Sequence, residues 1–495
     1  MTKQAVTHFP VLRKAPRVRR LTSLALGPTL TLPIAAVTIF LMASSTEPWL
    51  TAASIVVLII GAKLLWRVGE PPILFAAFFL QWMQVSLLVM RASFTDIRMT
   101  NFYFPPGIFT ATWLSLGGLL VLAGGIRLMV GKAAPGHMLA QFRAEVWQYS
   151  PQKAFVSYLV AQVVVVGIDR VTWLYSGLSQ VFLALSAFRW VFFFVLAVIV
   201  MIQRRGYILL AFVFMFELML GFMSFFSDFK QVFLVFAVAA LTARPKVNAR
   251  IGSAVVAIFA VVLVLLAGWS VVKIQYRDYL SAGTGKQTVL MAPMERLYQI
   301  VDLMWTEGLP NLGAGFERLA RRIEYTYYFG AAVDYVPAST PHTGGEIWGK
   351  TIIHVLTPRL LFPDKPPLEA DVVNTKRYTG LNITADETIK DTEVPMGYMA
   401  ESYIDFGPYW MFAPIFFLGL LYGAQYRYLA NIPRYKVFAY GAMPVVLQPF
   451  ATFEMTSVKI VGGSLVIFAA TYIALRVVAP LVHRWMRAKR YSARI

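Results

Sequence analysis

The sequence predicts an all-α polytopic membrane protein of about 12 transmembrane helices with one large, partly helical loop, and three observations carry that expectation. Hydrophobic residues fill 58% of the 495 positions and mean hydropathy is +0.62, above the roughly 45–50% apolar content of soluble domains. Apolar runs long enough to cross about 30 Å of hydrocarbon recur along nearly the whole chain. Charge is the third observation. The formal net charge is +20, yet Lys273 to Pro408 holds 13 Lys/Arg against 17 Asp/Glu, while the other 32 basic and 8 acidic residues lie elsewhere, the basic ones mostly between apolar runs. That is the positive-inside pattern rather than a nucleic-acid patch. In lipid the backbone must satisfy its own hydrogen bonds, so runs this long and continuous are helices, not barrel strands.

Taken in order, residues 1–20 form a cytoplasmic basic N-terminus containing Arg13, Lys14, Arg17, Arg19 and Arg20. The following run, 21–43, superficially resembles a signal peptide, but it is too long for one and further spans follow, so it reads as a retained first helix. Spans are then expected near 50–66, 72–90, 108–130, 154–169, 179–202, 207–227, 231–243 and 251–272, completing a bundle over 21–272. Residues 273–408 form the large loop, spans near 409–429, 437–453 and 458–480 fill 409–480, and 481–495 is a basic tail. This count puts both termini inside. The basic turns at Arg67, Lys132 to Lys153, Arg204/Arg205, Arg244/Lys246/Arg250 and Arg427/Arg434/Lys436 then all fall on one side.

Two places stay open. The stretch Asp169 to Phe188 is either a span or a re-entrant piece, and the eighth span is short unless Asp228 and Lys230 lie within the bundle. An ionisable residue at that depth is a functional candidate; the plainer reading pairs the two at the interface. With no cysteine in the chain, no disulfide staples the loop. Its aromatic residues, among them Trp305, Tyr325, Tyr328, Trp348 and Tyr403, exceed what a solvated linker needs, so the loop is expected to fold against the membrane surface.

Three constellations in the loop carry chemistry. In Gly315 to Phe329, Arg318, Arg321 and Arg322 stand at i, i+3 and i+4, so three guanidiniums share a helical face suited to a pyrophosphate. The plainer alternative is an interfacial helix whose arginines meet lipid headgroups or Glu317 and Glu324. In Thr340 to Pro366, His342 and Glu346 are candidate bases, and prolines stiffen the backbone around Arg359 and Lys365, two cations for one anionic ligand. A lone histidine is more often structural, and His354, in an apolar stretch, reads as a packing residue. In Met396 to Trp410, Glu401 and Asp405 at i and i+4 are expected on one face of a helix entering the membrane, near the water boundary. The alternative is a pair of carboxylates at a positive helix start.

Gly345-Glu346, Thr357-Pro358-Arg359, Phe362 to Pro366 and Met399 to Gly407, in that order, resemble the large loop of bacterial oligosaccharide repeat-unit polymerases, the Wzy class. Gly221 to Leu234, with Lys230, resembles a turn these proteins carry between two central spans. The resemblance covers most of the chain as topology and about 221–234 and 340–410 as motif. It implies a glycosyltransferase C-like membrane fold with a periplasmic loop at the inner membrane, and transfer of a growing glycan from undecaprenyl pyrophosphate to a new lipid-linked repeat unit. It implies functional roles for Arg359, Lys365, Glu401 and Asp405; Arg318, Arg321, Arg322 and His342 rest on the chemistry of the residues alone. No metal or cofactor is expected, because arginine and lysine can stabilise a leaving pyrophosphate. The expected partners are the lipid-linked substrate and the bilayer, with a flippase and a chain-length regulator alongside. A polysaccharide ligase, a transporter such as a lipid-linked-sugar flippase, and a scaffold are the competing readings.

Overall fold

A computed structural model of the chain describes residues 38–67, 70–102, 106–131, 136–172, 179–223, 229–243, 249–284, 289–359, 361–362, 364–366, 368–383 and 394–487. The regular structure of the described residues is all helical, and their only β-type pairing is an isolated bridge between Tyr149 and Arg487. The first half runs α1 (Pro48–Leu65), α2 (Ile73–Thr95), α3 (Met99–Phe102), α4 (Ile108–Val130), α5 (Gly136–Val146), α6 (Pro151–Thr172), α7 (Ser179–Ser186), α8 (Phe188–Gln203), α9 (Tyr207–Met223), α10 (Phe229–Ala243) and α11 (Ala249–Leu280). The loop region adds α12 (Pro293–Leu303), a π turn, α13 (Leu312–Ile323), α14 (Thr326–Tyr335), α15 (Glu346–Leu356), α16 (Asp371–Thr379) and α17 (Tyr398–Trp410). The chain closes with α18 (Phe412–Asn431), α19 (Lys436–Val446), a 3-10 turn and α20 (Ser457–Met486).

Seven of these segments are long and apolar enough to cross a membrane, and an eighth is present if α17 and α18, bent 118° apart, count as one. That is the build of a multi-pass helical membrane protein. Shorter apolar helices occupy Tyr207–Phe222, Lys230–Ala243 and Lys436–Val446, at the positions of the expected seventh, eighth and eleventh spans. Of the expected first span only 38–43 is described, and it is helical; Asp228 lies outside the described residues.

The tightest helix pair is α4 on α18, and glycines make it possible. A Cβ on Gly125 would stand 2.6 Å from the Phe416 carbonyl oxygen, one on Gly419 2.5 Å from that of Leu122, and one on Gly423 2.8 Å from that of Ile126. With little hydrophobic driving force between helices in lipid, this close backbone approach supplies the packing. The register also shows that α4 and α18 run parallel.

Basic turns gather at the end where these two helices finish. Arg67 pairs with Glu70 at 2.6 Å and donates to the Gly131 carbonyl at 2.9 Å, and the Tyr426 hydroxyl donates to Glu70 at 2.8 Å. The Lys436 amide donates to Glu145 at 2.7 Å, and Lys153 donates to the Trp485 carbonyl at 2.8 Å. We call this the basic end.

Part of the loop shares the bundle's core: Phe329, Val336, Tyr378, Tyr398 and Tyr403 belong to the same apolar cluster as Phe78, Phe194 and Tyr422. Its first part, α12 to α13, folds back along α11, which continues past Lys273 to Leu280. Gly315 lies so close to α11 that a Cβ would stand 2.4 Å from the Ala267 carbonyl oxygen, over a satellite core of Trp269, Val272, Tyr276, Leu280 and Ile300. Then α14 seats on the start of α4, where Asp334 accepts from the Gly107 amide at 2.9 Å.

The chain is broken at one expected span and just before another. The run expected at 437–453 ends as helix at Val446, and the irregular backbone after it is buried against the middle of α2. There Gln81 donates to the Phe450 carbonyl and Gln84 accepts from the Phe453 amide at 2.9 Å. Non-helical backbone at membrane depth is tolerated only when its polar groups are satisfied in this way. The second break lies just before the span expected at 409–429, at Gly407 (φ 71°) and Pro408 inside the last turn of α17.

Valine at Gly419 must push the Leu122 backbone away, an overpacking cost of about 1–3 kcal/mol. Gly419→Val is therefore expected to lower the melting temperature of the detergent-solubilised protein, whereas valine at Gly124, whose Cβ would meet nothing within 4 Å, leaves it near wild type. Equal melting of the two variants would contradict the packing.

Candidate functional site

The chemistry-bearing residues collect where the loop enters the bundle, around α17. Glycine at position 407 and Pro408 stop α17 after three turns, so this helix does not lead straight into α18. Glu401 and Asp405, four residues apart on this helix, are turned inward to the protein. Both are buried, and each reaches the start of a different helix. Asp405 accepts from the amides of Ile347 at 3.0 Å and Trp348 at 2.8 Å and from the Thr343 hydroxyl, capping α15. Glu401 accepts from the Ser457 amide at 2.6 Å, capping α20. Each carboxylate satisfies amides that a helix start leaves without partners, and its negative charge meets the positive end of the helix dipole.

His342 joins the same layer. Its Nδ1 donates to the Ile404 carbonyl at 3.2 Å and its ring lies edge-on to Tyr403, with centroids 5.4 Å apart. Two left-handed glycines, Gly344 (φ 65°) and Gly345 (φ 99°), turn the chain from His342 into α15. The Gly345-Glu346 and Met399 to Gly407 segments, far apart in sequence, thus meet in space. Glu346 itself faces away, exposed and 2.5 Å from Lys350, which holds its carboxyl below the usual carboxylate range.

Arg359 and Lys365 sit at the opposite end of α15. Lys365 donates to the carbonyls of His354 and, at 2.9 Å, Thr357, closing the C-terminus of that helix. Burial and then the neighbouring Arg359 charge push the Lys365 ammonium down, and burial with both cations lowers His354. Arg359 is exposed. An 11-residue helix separates this pair from His342 and Asp405 by about 16 Å of rise, so the two groups do not form one constellation.

A second cluster, of cations, lies on the other side of the loop. Arg318 and Arg322 on α13 are within electrostatic reach of Lys273 near the end of α11, as is Arg277. Arg318 donates to the Val271 carbonyl at 3.3 Å, and Arg321 is drawn aside to Glu317 at 2.7 Å. On α2, Arg91 pairs with the buried Glu324 at 3.1 Å and lies within reach of Glu317. The sequence reading misses Arg91, Lys273 and Arg277, although each ends an apolar run at the expected water boundary. Lys230 is exposed at the start of α10, whose Phe233 packs against the satellite core beneath α12.

Between the cations and α17 lies a polar floor, also missed. The Tyr325 hydroxyl donates to the Pro395 carbonyl at 2.5 Å, and burial and then Glu454 push its phenol up while Arg322 acts the other way. Half-buried Glu454 accepts from Gln84 at 2.7 Å, and Asp371 pairs with Lys459 at 2.7 Å. Among the described residues no group of three or more His, Asp or Glu is placed to hold a metal ion.

Residues 131–431 match the family described as a domain of unknown function (DUF8712), and the chain belongs to that family. No curated protein and no solved structure matches the chain. The family match spans the arginines of α13, His342, Glu401 and Asp405, while Arg91, Glu454 and Lys459, which complete the floor, lie outside it.

Removing the Asp405 acceptor leaves the α15 amides buried without partners, at about 1–3 kcal/mol. Asp405→Ala is expected to speed hydrogen exchange at residues 346–349 well beyond that elsewhere in the loop, with Asp405→Asn intermediate. Unchanged protection there would remove the capping role.

Proposed function

We propose that the protein is a lipid-linked glycan polymerase, transferring a growing chain from undecaprenyl pyrophosphate to the sugar of a new lipid-linked repeat unit at the periplasmic face of the inner membrane. The observation that carries this reading is the gathering of Lys273, Arg277, Arg318 and Arg322 where loop meets bundle, with Arg91 paired to Glu324 nearby, while α12, packed like α13 against α11, exposes Met294, Tyr298, Val301 and Trp305. An anionic group attached to a long hydrocarbon tail fits both features. In this reading the three short apolar helices and 21–43 complete the 12 spans, with the basic end cytoplasmic and the loop periplasmic.

In the transfer, an acceptor hydroxyl oxygen bonds to the donor's anomeric carbon as that carbon's bond to the pyrophosphate oxygen breaks. Undecaprenyl pyrophosphate departs with the electron pair, and the arginines stabilise its developing charge. The hydroxyl proton passes to a carboxylate or imidazole. Glu401 and Asp405 are committed to helix caps and Glu346 to Lys350, so the geometry favours Glu454, within reach of Tyr325 on the polar floor, with His342 as the other candidate.

Cells lacking the protein are expected to accumulate single lipid-linked repeat units on the outer face. Long unattached polymer would indicate a ligase instead, and units trapped inside a flippase. With membrane insertion verified, Arg322→Ala and Glu454→Gln are each expected to lower polymer yield by about 100-fold, the scale of losing one group that stabilises transition-state charge or moves a proton. Wild-type polymer from both overturns the assignment.

A further inference from the structure

At the basic end, remote from the proposed transfer site, the structure carries a hollow of about 800 Å³ that the function above does not use. Three arginines from separate elements line it: Arg427 near the end of α18, Arg434 in the turn after it, and Arg476 on α20. No acidic side chain is among the described residues lining it. The turn is fixed by Tyr435 in a left-handed conformation (φ 59°), and Arg427 is steadied by a 3.3 Å bond to the Met129 carbonyl. Arg476 stacks over the Tyr472 ring at 5.4 Å.

The position of Arg476 is the physical problem. It lies four residues, about 6 Å of rise, inside the expected end of the span at 480, and α20 runs on to Met486. A guanidinium at that level reaches the headgroups, where an anionic group is its counter-charge. Beside it on the same helix, Ile473, Val477 and Leu481 recur every four residues and are 60%, 59% and 62% exposed, an apolar stripe facing outward. Cations in a hollow, flanked by an outward apolar stripe, match an amphiphile rather than a soluble anion.

We propose that this hollow binds the phosphate-bearing headgroup of an anionic phospholipid, with Arg427, Arg434 and Arg476 on the phosphate and the acyl chains along Ile473, Val477 and Leu481. The shared chemistry is a phosphate among three guanidiniums, whose charge-assisted hydrogen bonds are stronger than neutral ones. Basic pockets between membrane helices on the cytoplasmic side recognise anionic headgroups by this means.

Native mass spectrometry of the full chain, released from detergent containing equal amounts of dioleoyl phosphatidylglycerol and dioleoyl phosphatidylcholine, tests the proposal. Wild type is expected to retain the glycerol lipid preferentially. Retention falls about fivefold for each arginine removed in Arg434→Gln and Arg476→Gln, while Arg205→Gln, in another basic turn, matches wild type. Because Arg434 is exposed in a turn, its variant keeps the test valid if Arg476→Gln fails to fold. Equal retention of both lipids, or wild-type retention by Arg434→Gln and Arg476→Gln, overturns the site. Loss of the bound lipid on adding excess inorganic phosphate would overturn the lipid assignment in favour of a free phosphate ligand.

Discussion

A carboxylate buried away from water must find donors, and on α17 two of them find the same kind, the unpaired amides at the start of another helix. Asp405 holds α15 and Glu401 holds α20, so one short broken helix fixes both a loop helix and the last helix of the bundle. The rest of the loop depends on this clamp. With α15 fixed at its first turn by Asp405 and at its last by Lys365, the chain on either side of it is directed back into the bundle. The bend at Gly407 and Pro408 is what lets α17 lie across the helices rather than continue into α18.

Because the loop shares the bundle's core, its polar residues are carried to the level of Gln81 and Gln84, halfway along α2. At that depth Gln84 bonds Glu454, Tyr325 the Pro395 carbonyl and Asp371 Lys459. The cations are arranged otherwise. Arg318 and Arg322 are exposed and crowd the Lys273 ammonium, an electrostatic cost that an anionic ligand relieves. That contrast, a hydrogen-bonded floor beside a cationic wall, is the physical basis for proposing the wall as the part that meets an anion.

Much of the bundle was legible in the sequence because spanning a membrane is a local requirement. The expected runs at 108–130 and 458–480 lie within the observed α4 and α20, and the basic turns at Arg67, Arg427 and Lys436 do gather at one end. The breaks were harder to read. The run 437–453 is apolar enough to pass for a span; its helix stops at Val446, ahead of Pro449, and the backbone this frees is bonded by Gln81 and Gln84, about 370 residues away. The i, i+4 spacing of Glu401 and Asp405 was visible, but their partners were not, since caps on α20 and α15 lie more than 50 residues distant in either direction. Of the three arginines on α13, spacing grouped them on one face; packing against α11 set Arg318 and Arg322 beside Lys273 and gave Arg321 to Glu317.

In the proposed function, the cationic wall receives a pyrophosphate as it leaves a sugar. The most direct test of this reading is reconstitution of the purified chain in vesicles with a synthetic undecaprenyl-pyrophosphate-linked repeat unit, following glycan length and released undecaprenyl pyrophosphate together. The account predicts that each new glycosidic bond releases one undecaprenyl pyrophosphate and that removing the Arg322 guanidinium suppresses both. Vesicles that move the substrate across the bilayer without lengthening the glycan would contradict it.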